Sequence, residues 1–295
     1  MTTAVSDPAL IRRLHQAQSL PTPPLVLSQL NRVLNDPAAS AYDIAAVVAE
    51  DPGLATMVLR IANSAYYGLP KPTASVRQAI VILGMAVVRT LVLSASMAEV
   101  FARCQDEPEM QDQFWRHSLA TASAARVLCG THADGWAVTQ SEEAFTAGLL
   151  HDIGKMILIC HMPEERRRIR THPDYGHLTD RQVEAAVLGW DHAAIGALLA
   201  ERWRLPWVLA SAIAHHHDLA VDGAEETRLA HAIHVADYLA HRLGDSDHRP
   251  SPAPDLDWHV ASAFGIDRVN IDEFVERARL EYGRAGTFLQ LVRGH

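Results

Sequence analysis

The stretch Ala144-Phe-Thr-Ala-Gly-Leu-Leu-His-Asp-Ile-Gly-Lys155 is an apolar run that ends on a histidine and a carboxylate, His151 and Asp152. A His-Asp pair alone is a common dipeptide. Its company gives it meaning: Phe114-Trp-Arg-His117-Ser lies upstream, and Asp191-His192, His215-His216-His217 and Val235-Ala-Asp237 lie downstream. Each lies in or beside a stretch whose apolar residues recur at helical spacing. Helices packed as a bundle can aim such side chains at one point. Imidazole suits Fe, Mn, Zn, Ni and Co, while a carboxylate can bridge two cations and offset their charge. Two metals held about 3.5–4 Å apart can clamp an attacking hydroxide and a phosphoryl oxygen. Asp152 is the natural bridge.

Outward from this centre the pattern stays helical, and the expected fold is an all-α multi-helix bundle. Ser40-Ala-Tyr-Asp43 resembles a capping box ahead of Ile44, Val47 and Val48. Asp51-Pro52 pairs a cap residue with a first-turn proline, and Leu54, Val58 and Ile61 form the stripe that follows. Gly68-Leu-Pro-Lys-Pro72 reads as a loop, and Ser75 as the cap of a helix holding Ala79 to Leu93. Further helices are expected over Gln113–Leu128, from Glu142 through the His-Asp pair, and over Thr179–Leu188, Ala193–Trp203, Pro206–His217 and Thr227–Leu243. No segment alternates with period two between hairpin turns. Arg249-Pro-Ser-Pro-Ala-Pro254 reads as a linker, followed by short helices near Asp257–Phe264 and Ile271–Arg284. The expected organisation is an N-terminal helical half over 15–110, a metal-binding helical core over 111–248 and a helical extension over 255–295.

Bulk properties narrow the function. With 295 residues and 48% hydrophobic content, a sizeable core is within reach. A net charge of −9 disfavours nucleic acid, which needs clustered Lys and Arg. The 17 histidines are an unusual surplus. Cys104, Cys129 and Cys160 form no C-x-x-C pair and are expected to be reduced thiols in a cytoplasmic protein. The first residues lack a signal-peptide layout, and the apolar run Ala79 to Ala95 is too short and too interrupted to span a membrane.

The region from about Gln113 to Leu243 resembles the HD superfamily of metal-dependent phosphohydrolases, and its Leu149-Leu-His-Asp-Ile-Gly-Lys155 is especially similar to the HD-GYP phosphodiesterases. The chain over roughly 15–245 also resembles the HDOD family. That likeness rests on Leu20-Pro-Thr-Pro-Pro24, Asp51-Pro-Gly-Leu54, Ala62-Asn-Ser-Ala65 and Ala79-Ile-Val-Ile-Leu-Gly84, together with Gly189-Trp-Asp-His192 and Trp203-Arg-Leu-Pro206. The resemblance implies a bacterial signal-transduction module acting through protein partners or by sensing a metal or ligand. It implies one metal on His117, His151, Asp152 and Asp237, and a second on Asp152, His192, His216 and His217. Iron or manganese ranks ahead of zinc, nickel or cobalt.

Two positions depart from the HD-GYP pattern. His217 is followed by Asp218-Leu-Ala, so the Gly-Tyr-Pro signature tied to cyclic di-GMP is absent. Gln113 stands where some members carry a glutamate ligand, which favours two metals over three. The alternative function is a phosphohydrolase acting on a nucleotide or cyclic dinucleotide, with Asp152 and Lys155 in catalytic roles and Lys155 facing a phosphate. Three consecutive histidines on a helix point about 100° apart. All three therefore cannot face one site; the resemblance implies His216 and His217 as the ligands and leaves His215 as an exposed or supporting residue. His231, His234 and His241 are read as surface or supporting residues, and Glu164-Glu-Arg-Arg-Arg-Ile-Arg170 as a solvated helix face.

Overall fold

The computed structural model describes residues 20–293 apart from 35, 37, 65–66, 102–107, 131–137, 220–224 and 245–251. The described residues form helices and one isolated bridge between Tyr175 and Leu178, with no strand among them. The all-α expectation holds. They divide into two compact units, residues 22–103 with 284–293, and residues 108–283 with 20–21.

In the first unit, α1 (Leu25–Leu34), α2 (Ala41–Ala49), α3 (Pro52–Ala62), α4 (Val76–Leu83) and α5 (Met85–Phe101) pack on one another. Short polar side chains start three of these helices. The Ser40 amide donates to Asp43 Oδ2 at 2.9 Å, Asp51 Oδ1 accepts from the Leu54 amide at 3.0 Å, and Ser75 Oγ accepts from the Gln78 amide at 3.3 Å. The Asp51 and Ser75 bonds satisfy donors that the first turn leaves without partners. Leu27, Leu30, Ile44, Met57, Val58, Ile80 and Leu91 fill the interior, each burial contributing about 1.5–3 kcal/mol. Asn63 is structural: its Nδ2 donates to Thr73 O at 2.8 Å and its Oδ1 accepts from the Thr73 amide at 2.7 Å.

The stretch from Ala79 to Leu93 is two helices rather than one. α4 stops at Gly84, whose φ of +81° lies in the left-handed region, and the pair bends by 110°. Glycine adopts that conformation without a Cβ clash, and an apolar run that is buried on both sides of the bend gives no sign of it. Among the described residues no single helix is long and apolar enough to cross a membrane.

The second unit holds α6 (Pro108–Gly130), α7 (Val138–Leu150), α8 (Ile153–His161), α9 (Pro163–Arg170), α10 (Asp180–Leu188), α11 (His192–Arg202), α12 (Trp207–His215), α13 (Glu225–Leu243), α14 (Trp258–Ala263) and the start of α15 (Ile271–Arg293). α6 lies against α7 and α13, α12 touches α7, α11 and α13, and α11 rests on α8. Buried small residues from Ala120 to Ala125 line α6 and let its neighbours approach closely. α9 bears out the solvated-face reading: Arg167 pairs with Glu164 at 2.7 Å, both exposed.

Two expectations need correction here. The helix drawn through the His-Asp pair breaks at that pair, because α7 ends at Leu150 and α8 begins at Ile153. Cys129 is a buried free thiol, but Cys160 is disulfide-bonded, against the expectation of reduced thiols. Cys104 lies outside the described residues. Chain spacing carries no record of which sulfurs the helices bring together, and proximity is what a disulfide requires.

Replacing Gly84 by alanine puts a Cβ into a left-handed conformation that costs about 1–2 kcal/mol. Urea unfolding of the full chain should show a loss of that size. An unchanged midpoint would contradict the bend.

Candidate metal centre

The second unit delivers its histidines from helix ends. The last carbonyls of an α-helix have no partner within it. At the end of α7 the His151 ring turns back, and its Nδ1–H donates to Gly148 O at 2.7 Å. At the end of α12 the same device recurs: His216 Nδ1–H donates to Ile213 O at 2.9 Å. Each bond satisfies a stray carbonyl and fixes the tautomer, so the Nε2 lone pair points the other way. α12 ends at His215, with His216 as its C-cap still in the right-handed helical conformation. His216 and His217 reach the centre, and His215 belongs to none of the ligand trios among the described residues.

His192 arrives differently. α10 closes on Gly189 in the left-handed conformation, and Asp191 Oδ1 caps α11 by accepting from the Ala194 amide at 3.0 Å. His192 is therefore the first helical residue. The buried Glu184 carboxylate accepts from both its backbone amide at 2.8 Å and its Nδ1–H at 2.6 Å. His117 comes from the middle of α6 and Asp237 from α13.

The seven predicted residues come together around Asp152. Its Oδ2 lies 3.5 Å from His151 Nε2 and 3.6 Å from His117 Nε2. Its Oδ1 lies 3.2 Å from His192 Nε2 and 3.9 Å from His216 Nε2. Asp237 Oδ1 is 3.0 Å from His117 Nε2 and 3.8 Å from His151 Nε2. His217 Nε2 faces His192 Nε2 at 3.0 Å. Three ligand trios lie within this set: His117 with His151 and Asp237, His192 with His216 and His217, and His151 with Asp152 and His216, which links the first two. Asp152 sits between the first two with one oxygen toward each.

The donor chemistry fits cations. Asp152 Oδ1 and the Nε2 atoms of His151 and His216 are buried without a hydrogen-bond partner, while Asp152 Oδ2 meets the Lys155 ammonium at 2.8 Å and Asp237 Oδ1 faces His117 Nε2 at 3.0 Å. Unsatisfied atoms of this kind cost about 1–3 kcal/mol each, so a buried cluster of them aimed at one centre is the pattern of ligands. Burial pushes His117 and His151 below the ordinary histidine range and His216 down to about 3. It also carries His217 well below that range. These rings are therefore neutral, the form that binds metal. For His192, burial is the largest influence and opposes charge, but the Glu184 and Asp152 carboxylates together raise the pKa above the ordinary range. Burial disfavours charge on Asp152 too, yet His151, the Lys155 ammonium and His192 hold its carboxyl well below the ordinary range.

Lys155 Nζ lies 2.8 Å from Asp152 Oδ2 and 3.3 Å from Asp180 Oδ2. It lines a cavity of about 250 Å³ together with Arg181, His192, His217, Asp237 and His241. Glu184 and Arg181 were not foreseen from the sequence. Arg181 pairs with Asp191 at 3.0 Å and donates to His217 O at 2.7 Å, tying the α11 cap to a predicted ligand. Nothing in their spacing marks them. His234 and His241 were read as surface or supporting residues; the structure buries His234 and gives each a partner, with His234 Nδ1 3.2 Å from His216 O and His241 Nε2 3.5 Å from Asp237 Oδ1.

The HDOD domain family matches residues 20–219, more than half of the chain. This chain belongs to the HDOD family. An uncharacterized protein of Treponema pallidum (strain Nichols) is 26% identical over 200 residues, which is 68% of this chain and 38% of the relative, so the chain spans well under half of that protein. Among solved structures, a candidate phosphohydrolase of Shewanella amazonensis SB2B is similar at a TM-score of 0.70 and 25% identity, over 95% of this chain and 99% of that one. A Geobacter sulfurreducens HDOD domain protein of unknown function matches at 0.66 and 22% identity, over 97% of each chain. A candidate signal transduction protein of Marinobacter aquaeolei VT8 matches at 0.77 and 22%, over 99% of this HDOD protein and 67% of that chain. The last two likenesses are likenesses of fold.

Two outcomes follow. Unfolded histidines protonate near pH 6.5, whereas folded His117, His151, His216 and His217 resist protonation. As pH falls below that value the unfolded chain gains protons that the folded chain refuses, and stability drops. His192 acts with the opposite sign but is outnumbered. Metal-stripped protein should therefore lose thermal stability from about pH 7.5 to about pH 5.5, and a flat or rising midpoint would contradict these environments. Separately, a Cβ at Gly154 would collide with the His192 carbonyl. Gly154→Ala should cost about 3 kcal/mol, at the top of the overpacking range. A variant of parental stability in chemical denaturation would show that α8 and α11 are not so close.

Proposed function

We propose that this HDOD domain is a signalling module whose HD site holds two divalent transition-metal ions, iron or manganese ahead of zinc, nickel or cobalt. The observation that carries this reading is the set of buried, unpartnered ligand atoms converging on Asp152. His117, His151 and Asp237 would hold one ion and His192, His216 and His217 the other, with Asp152 shared. A module of this kind would report metal or ligand occupancy to a protein partner.

A second reading, phosphoester hydrolysis, is favoured by the cavity beside the cluster. Two carboxylates offset only half the charge of two divalent ions when the histidines are neutral, so the loaded site would attract an anion. Lys155 and Arg181 line the same cavity, and cations aimed at a phosphoryl group stabilise charge that develops there. Bound metal would supply a hydroxide nucleophile at neutral pH and polarise the phosphoryl oxygen. Within the chain, Lys155 would neutralise phosphoryl charge, while Glu184 and the helix-end carbonyls would hold the imidazoles in one orientation. A nucleotide or another small phosphoester suits a cavity of this size.

Protein purified without chelator should carry up to two transition-metal ions per chain by mass spectrometry. Asp152→Ala should lose most of both, because it contacts both trios. Full metal content in that variant would sink the shared-ligand reading. Turnover of a phosphoester panel by protein loaded with manganese or iron would move the assignment to the enzyme, and inactivity of fully loaded protein would leave the signalling module.

A further inference from the structure

The two ligand trios that flank Asp152 differ in charge. His117 and His151 stand with the Asp237 carboxylate, whereas His192, His216 and His217 are three imidazoles with no carboxylate among them. Asp152 is common to both sides. A divalent ion on the second trio would therefore meet one fewer negative group than an ion on the first. Burial sharpens this deficit, because charge imbalance is poorly screened away from water. One carboxylate stands directly behind the second trio. Glu184 on α10 is buried and reaches His192 through Nδ1 at 2.6 Å and through the backbone amide at 2.8 Å. His151 and His216, by contrast, are backed only by neutral backbone carbonyls.

We infer that Glu184 is the charge-compensating positioning residue of the second metal position, acting through His192 and supplying there what Asp237 supplies as a direct ligand at the first. The mechanism is local. A carboxylate accepting the Nδ1 proton raises the electron density at Nε2 and locks the ring toward the ion. The backbone bond from His192 to the same oxygen fixes where α11 starts, so ring and helix share one anchor. The two positions are therefore unequal in how they fail: losing the Glu184 charge weakens the second position and leaves the first intact.

This inference rests on the two-metal reading above, and the test separates the two. Metal content and dissociation constants are measured by chelator competition with manganese for the full chain, Glu184→Gln and Asp237→Asn, with circular dichroism as the control for folding. Glu184→Gln keeps the shape and removes the charge. It should hold about one ion per chain, with the weaker constant raised about 10–100-fold and the tighter one unchanged. Asp237→Asn should impair the other ion. A tautomer readout checks the route: in metal-free protein the ¹⁵N shifts of His192 should report a protonated Nδ1, and this preference should weaken in Glu184→Gln. If the wild-type chain binds two ions and Glu184→Gln binds both with wild-type constants, the inference fails while the two-metal reading stands. If the wild-type chain binds none, the metal reading fails and takes the inference with it. Should Glu184→Gln lose its helical signal, Glu184→Asp decides: it keeps the charge and lengthens the contact. Partial loss of the second ion supports the role, and undiminished affinity overturns it.

Discussion

A carboxylate withdrawn from water is stable only when something nearby answers its charge. Asp152 is fully enclosed, and four imidazole nitrogens lie within 3.9 Å of its two oxygens. Only Lys155 offers a fixed positive charge, on one side. The architecture of the second unit follows from that constraint. Helices end so that rings can face this group, and the turned-away Nδ1 atoms of His151, His216 and His192 are held by Gly148, Ile213 and Glu184.

Helix ends therefore do double duty in this fold. Each terminus leaves backbone groups that need partners, and the histidines at 151 and 216 use that need to fix their own orientation. The site is in this sense continuous with the fold. The small buried residues of α6 and the missing Cβ at Gly154 let the helices come close enough for ligands from α6, the α7–α8 junction, α11, the end of α12 and α13 to meet. A cluster of this kind is expected to be coupled to stability as well as to chemistry, since the groups that would bind metal are the ones left without partners when it is stripped away.

Much of this was legible in the sequence, for physical reasons. Apolar spacing and short polar caps such as Asp51 and Ser75 act locally, so the helical character and several helix starts could be read directly. The candidate ligands could be named because the family resemblance pointed to them, and imidazoles and carboxylates inside apolar helical stretches gave that reading a chemical basis. What could not be read was tertiary. The bend at Gly84 depends on the face each half of an apolar run buries, and the break at Leu150 on the packing of α8 against α11. The Cys160 bond depends on proximity of the sulfurs. Glu184 looks like any helix glutamate until the fold sets it behind His192, eight residues further along the chain.

The central claim is that Asp152 is shared by two cations. Anomalous diffraction from crystals of protein purified without chelator, collected at the absorption edge of the metal found in solution, tests it most directly. The account predicts two peaks about 3.5–4 Å apart, one against His117, His151 and Asp237, the other against His192, His216 and His217, with an Asp152 oxygen on each. A well-ordered site with no peak beside Asp152, its histidines bonded only to one another or to water, would contradict it.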